Sequence, residues 1–165
     1  MIIRQIKQEE ISSIYDFIKF SFATSYISGG TEQDYASSLR NSDKYVKELE
    51  LVIEDQGNIL GHIMLTKFNI KGVNALMLGP ICTHINYRNK GLGRTLVDVA
   101  LENAKKLGYE AVFLVGDPKF FSQLGFKPTI EFGLKNSNNC PDETVLCKEL
   151  KEGILKNAKG DFSIE

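Results

Sequence analysis

The stretch Arg88-Asn89-Lys90-Gly91-Leu92-Gly93-Arg94-Thr95 has the residue types and spacing in this chain best suited to chemistry. Successive backbone N–H groups in a tight glycine-containing turn form a concavity for anions. A helix that begins directly after such a turn aims its unpaired N–H groups and its positive dipole end at the same point. Gly91 and Gly93 let the backbone approach a ligand closely. Arg88, Lys90 and Arg94 add positive charge. The combination calls for a di- or triphosphate-like group.

Three kinds of phosphate loop compete for these residues. The ATP-type loop requires a lysine before Ser or Thr, whereas Arg94-Thr95 follows Gly93 here and the glycine spacing differs. The dinucleotide fingerprint requires a third small residue where Leu96 stands, and it follows an early strand of a parallel sheet. The pattern R-x-x-G-x-G matches Arg88, Gly91 and Gly93. Taken alone it is a weak signal, because Gly-x-Gly before a helix is also a common turn.

The loop needs a strand before it and a long helix after it, and the periodicities supply both. Leu92, Leu96, Val97, Ala100, Ala104 and Leu107 predict a helix over 91–107, with Gly108 placed to stop it. Residues 49–54, 59–70 and 73–84 read as strands. The breakers between them, Gly57-Asn58 and Gly72, are short enough for antiparallel hairpins. Residues 2–6 predict a first strand, 8–22 an amphipathic helix, and 32–41 a short helix with Thr31 at its N-cap. Residues 24–31 and 136–142 read as loops. Residues 110–115 form an apolar strand, and Pro118 opens a short helix over 118–124 that Gly125 ends. Residues 126–130 and 144–150 are weaker strands. A strand, a crossover helix and a strand make a parallel unit, so the class is mixed α/β, with one central sheet and helices on both faces.

The chain has 165 residues and a net charge of −1, with 42% hydrophobic and 25% charged residues. That length fits one domain over 1–165 and buries roughly 70% of its unfolded surface. The near-neutral charge argues against nucleic-acid and membrane partners, which need clustered positive charge. No apolar run approaches the roughly 20 residues of a membrane span, and no secretion signal is visible. Cys82, Cys140 and Cys147, with His62 and His84, make neither a disulfide framework nor a convincing metal set. A cytoplasmic protein with reduced thiols and no metal is expected.

Several segments resemble the GNAT superfamily of N-acetyltransferases. They are Leu78-Gly79-Pro80-Ile81-Cys82-Thr83, Tyr87 to Gly93, the helix after it, Leu114-Val115-Gly116-Asp117-Pro118, and Phe120 to Phe126. Motif similarity covers 78–126, and the element order matches from residue 2 to about 150. The Gly116-Asp117-Pro118 and Gly125-Phe126 segments are similar to a bacterial branch without a secure substrate. The resemblance implies a single GNAT-like domain with a mixed sheet of about six to seven strands, splayed between the fourth and fifth. It implies acetyl-CoA as co-substrate and an amine acceptor.

By the same resemblance, Arg88, Asn89, Lys90, Gly91, Leu92, Gly93 and Arg94 hold the pyrophosphate. Ile81, Cys82 and Thr83 pair with the pantetheine arm as an added strand would. Pro80 supports this, since a proline marks an edge or a bulge. The Ile81 N–H is the oxyanion donor. The family's usual general acid, a tyrosine four residues before the Gly-Phe pair, is Phe121 here, which has no hydroxyl. Ser122, a bound water or no dedicated acid takes its place. Phe120 and Phe121 pack around the cofactor arm or in the core. Asp117 is a candidate base, although an Asp before Pro is more often a helix N-cap. His84, His62 and Cys82 are weaker candidates, the last as a buried small hydrophobe. Phe22, Tyr26, Glu32 and Tyr35 are plausible acceptor liners. A non-catalytic acyl-CoA-binding module and a nucleotide-phosphate binder remain as alternatives, and a second copy of the chain is a partner left open.

Overall fold

Two tight turns set the sheet. Gln56-Gly57 and Lys71-Gly72 each place two residues at positive φ, 49° and 83° in the first and 49° and 82° in the second. This is the left-handed pair that matches the twist of a two-residue hairpin. They join β2 (Tyr45–Asp55), β3 (Asn58–Ile70) and β4 (Val73–Thr83). The computed structural model describes residues 1–24 and 28–164. The remaining strands are β1 (Ile2–Gln5), β5 (Ala111–Val115), β6 (Lys127–Pro128), β7 (Leu134–Asn136), β8 (Val145–Glu149) and β9 (Gly160–Phe162). The helices are α1 (Ile11–Phe22), α2 (Glu32–Arg40), α3 (Leu92–Lys106) and α4 (Pro118–Ser122).

The main sheet has seven strands in the order β1-β2-β3-β4-β5-β8-β6, and β7 and β9 form a separate pair. β4 and β5 run parallel, with Ala75, Leu76 and Met77 opposite Ala111, Val112 and Phe113. β4 then runs on to Thr83. The mixed α/β class and the strand number follow the expectation.

Density of internal contacts divides the chain into two compact units. The first comprises residues 1–66 and 78–103. In it, Val52 and His62 face each other across β2 and β3, as do Ile53 and Gly61. Adjacent strand residues point to opposite faces. Val52 and Met64 pack with Ile14 and Ile18 of α1 and Leu39 of α2. A Cβ at Gly61 would lie 2.9 Å from Leu96 of α3 and 3.3 Å from Ile53. Helices therefore cover both faces of this part of the sheet. The second unit, residues 67–77 and 104–165, has its own core. Phe113 at its centre meets Phe68 at 5.3 Å and Phe162 at 5.8 Å in edge-on contacts.

Three local differences have physical causes. The helix predicted over 8–22 begins as a 3-10 turn at Gln8–Glu10. There Glu10 is held by both terminal nitrogens of Arg4, at 2.8 and 2.7 Å, and by the Lys7 N–H at 2.8 Å. Second, β2 starts at Tyr45 rather than near 49, through a register shift between Tyr45 and Glu50 that breaks the alternation. Third, β7 and β9 are three-residue strands, too short to leave a periodic signal, and Gly160 reads as a breaker.

Candidate active site

The end of β4, the loop that follows it and the start of α3 all belong to the first unit. Asn89 and Gly91 both adopt left-handed backbone, with φ of 61° and 81°. Left-handed residues interleaved in a turn converge neighbouring N–H groups into an anion nest. The Thr95 N–H bonds the Gly91 carbonyl at 3.0 Å, closing the first turn of α3. The N–H groups of the first helical residues, Leu92 to Arg94, precede any intrahelical acceptor.

The neighbouring polar side chains are engaged elsewhere. The Thr95 hydroxyl donates to the Gly91 carbonyl at 2.9 Å. His84 Nδ1 accepts the Asn86 N–H at 3.1 Å. Arg88 Nη2 donates to the Ser21 carbonyl in the last turn of α1. Lys90 lies over the Tyr87 ring, 5.4 Å from its centre. Gly91 is exposed, and nothing lies within 4 Å of where its Cβ would be. Arg88 thus ties the loop to α1, and residues 86–91 are exposed.

Ahead of the loop, Ile81 and Thr83 are half-buried and alternate with buried Cys82. Burial pushes the Cys82 thiol up to about 12, so its sulfur is a packing group rather than a nucleophile. Of the suggested acceptor liners, Phe22 is half-buried and Tyr35 is 49% exposed. Glu32 accepts from the Ser28 hydroxyl on both carboxylate oxygens. Tyr26 lies outside the described residues. Thr31 occupies the N-cap position of α2, but its side chain makes no capping bond.

In the second unit, Asp117 Oδ1 accepts the Lys119 N–H at 2.9 Å, the bond of an N-cap ahead of Pro118. Phe121 is buried between Phe120, at 4.9 Å, and Phe126, at 5.5 Å. A Cβ at Gly116 would come within 2.9 Å of its ring. The Ser122 hydroxyl is exposed and donates to the Lys119 carbonyl at 3.3 Å.

The model of the Acetyltransferase (GNAT) family matches residues 12–126. The chain belongs to the GNAT family. It is 32% identical over 76 residues to an Escherichia coli protein called uncharacterized N-acetyltransferase YhbS, a match covering 45% of this chain and 46% of that one. A second E. coli relative, uncharacterized N-acetyltransferase YjhQ, is 29% identical over 101 residues, covering 59% and 56%. The chain thus spans about half the length of the curated relatives it matches. Among solved structures, E. coli YhbS in complex with CoA superposes with a TM-score of 0.88 at 22% identity, covering 99% of this chain and 89% of that one. A Brucella melitensis GNAT acetyltransferase in complex with acetyl-CoA superposes at 0.75 and 22%, covering 90% and 86%. At these identities the superpositions establish the fold.

This GNAT chain also holds a polar cluster that periodicity did not reveal. Glu50 on β2 and His62 on β3 are fully buried. Glu50 accepts Arg40 Nε at 2.9 Å, Arg40 Nη2 at 2.5 Å and the Tyr45 hydroxyl at 2.7 Å. His62 Nε2 lies 2.8 Å from the same carboxylate. Burial by itself would raise the Glu50 carboxyl, but the bonds from Arg40, His62 and Tyr45 outweigh it and hold the group at about 2. The Tyr45 phenol is pushed up, by burial first and by Glu50 next. One signal was present in the sequence: a charged residue in the apolar run Leu49-Glu50-Leu51.

Proposed function

We propose that this chain is an acetyl-CoA-dependent N-acetyltransferase acting on a primary amine of an undetermined acceptor, and that it works as one acetyltransferase-like domain over 1–165. The observation that supports the reading is the exposed turn at Asn89–Gly91, whose two left-handed residues lead directly into the first turn of α3. A pyrophosphate suits that nest better than a single carboxylate does, because several N–H groups and the helix dipole converge there. CoA and acetyl-CoA are bound by the YhbS and Brucella proteins, respectively.

In this proposal the loop from Arg88 to Arg94 holds the pyrophosphate through its main chain, and the β4 residues Ile81, Cys82 and Thr83 hydrogen-bond the pantetheine arm. The neutral amine attacks the thioester carbonyl carbon in a ternary complex. The Ile81 N–H stabilises the oxyanion, the carbon–sulfur bond breaks, and the amide forms. The amine loses one proton and the departing thiolate gains one. Asp117 and Ser122 are proposed for those transfers, and Phe120 and Phe121 for packing at the cofactor arm. Free cysteines at 82, 140 and 147 suit a cytoplasmic setting.

A second reading, a non-catalytic acyl-CoA-binding module, is favoured by buried Phe121 and by the cap contact that engages Asp117. One experiment separates the two: thiol release from acetyl-CoA with a panel of amines, polyamines, amino acids and peptides. Sustained release with one amine class supports the transferase. Saturable CoA binding with no release across the panel supports the module. Absence of CoA binding sinks both.

A further inference from the structure

The first unit contains a cleft of about 480 Å³ lined by Ile6, Lys7, Ile11, Arg40, Tyr45 and Lys47 among others. It lies where β1 ends. The β1–β2 ladder stops at Gln5 opposite Leu51, followed by one bond from the Ile6 N–H to the Glu50 carbonyl at 3.3 Å. β2 continues back to Tyr45 through its register shift. The volume falls within the roughly 300–1,000 Å³ typical of small-molecule sites.

We infer that this cleft binds a small molecule bearing a carboxylate on a short apolar body. Arg40 is the anchor. Its side chain is 9% exposed, and it meets Glu50 side-on, through Nε and Nη2. A side-on contact uses Nε and one N–H of Nη2, so the end-on edge, with one N–H from each of Nη1 and Nη2, makes no bond to Glu50. That planar edge matches a carboxylate in a two-point contact. Tyr45 and His62 fix Glu50 from the other sides, so the fork is held before any ligand arrives. Lys7 and Lys47 add cations to the lining, against Glu9, while Glu50 already balances the charge of Arg40. Ile6, Ile11 and the Tyr45 ring offer the apolar contact. A buried ion pair is weak evidence for stability, since apolar residues of similar size often serve as well. Arg40 is among the residues that line the cleft, and a guanidinium preset there gives this pair a use. The site stands apart from the acetyl-CoA reading and does not depend on it.

The test is calorimetric titration of the full chain with acetate, isobutyrate, benzoate and succinate, with inorganic phosphate for comparison, at fixed pH and ionic strength. At least one carboxylate binds saturably, and Lys47→Glu and Arg40→Lys each weaken it about tenfold. Arg40→Lys keeps the charge and loses the fork, and its melting curve reports on folding. Lys156→Glu, on an exposed position in the second unit, leaves the affinity unchanged. The inference is overturned if no carboxylate binds, if phosphate binds as tightly as the best of them, or if the affinity survives both substitutions.

Discussion

The Arg88–Gly93 loop and the Arg40–Glu50–His62 cluster belong to one unit and handle charge in opposite ways. The loop is exposed, and in the proposed reading it holds a phosphate through main-chain N–H groups placed by two left-handed residues and a helix start. The cluster is buried and relies on side chains from α2, β2 and β3 that converge through the fold. On that reading the loop should tolerate side-chain changes and be sensitive to backbone freedom, whereas the cluster should be sensitive to the loss of any one partner.

The largest expected effect falls on the cluster. Glu50→Ala leaves Arg40 charged and unpaired inside the protein, at a cost of about 3–5 kcal/mol. Urea denaturation measures it, and a loss below about 1 kcal/mol would show the cluster to be loosely coupled. The acid limb tests the same group. Its carboxyl is depressed from 4.5 to about 2 in the fold. Its contribution is full above pH 4.5 and is lost as pH falls toward 2, on the order of 3 kcal/mol in total. Glu10, held at about 2 chiefly by its bond to Arg4, titrates in the same window. Glu50→Gln should therefore flatten the acid limb in part, leaving the share that belongs to Glu10.

The loop is broken through its backbone. With φ at 81° and nothing within 4 Å of the Cβ position, Gly91→Val has room for its Cβ but forces a branched residue into left-handed geometry. The strain costs about 1–2 kcal/mol, and acetyl-CoA affinity should fall more than tenfold, about 1.4 kcal/mol, in calorimetry. Gly91→Asn separates the two effects, because asparagine tolerates this conformation. It should keep the melting temperature and still weaken binding. A Gly91→Val protein with normal affinity would remove the loop from the proposed site.

Gly61 joins the two regions, since it precedes His62 on β3 and faces Leu96 of α3 on the opposite side of the sheet. Gly61→Ala places a methyl 2.9 Å from Leu96 and 3.3 Å from Ile53. Overpacking of this kind should cost about 1–2 kcal/mol in denaturant, with the Glu50 acid limb unchanged. A shift in that limb would show that the two faces of β3 are coupled.

Why the loop was legible in the sequence and the cluster was not follows from how each is encoded. Arg88, Gly91 and Gly93 lie within six positions, so one glance at the spacing contains the turn, the nest and the helix start. Gly57 and Gly72 announced the hairpins in the same local way, and the α3 stripe fixed the helix that the loop feeds. Arg40, Tyr45, Glu50 and His62 come from three elements. Their meeting depends on a register shift in β2 that breaks the period-two pattern used to read strands. Buried His62 could not be assigned a face until the pairing with Val52 was known. β7 and β9 escaped because three residues carry no periodicity.

The smallest expected effect lies in the second unit, where charge meets backbone over a separation as short as in the loop. Asp117 Oδ1 caps the Lys119 N–H two residues on, at 2.9 Å. Asp117→Ala should cost about 1 kcal/mol, and Asp117→Asn, which keeps an oxygen at the same place, only a few tenths. The pair also divides capping from proton transfer, because asparagine preserves the first and cannot perform the second. If the carboxylate does both, Asp117→Asn melts like the wild type while acetyl transfer slows and its rise with pH is altered. If the rate and pH profile of Asp117→Asn match the wild type, Asp117 is a cap and the proton must leave by another group or by water. In that case local legibility stops at structure: the sequence marks where a carboxylate holds a helix end, and the chemistry beside it is set by the incoming acceptor.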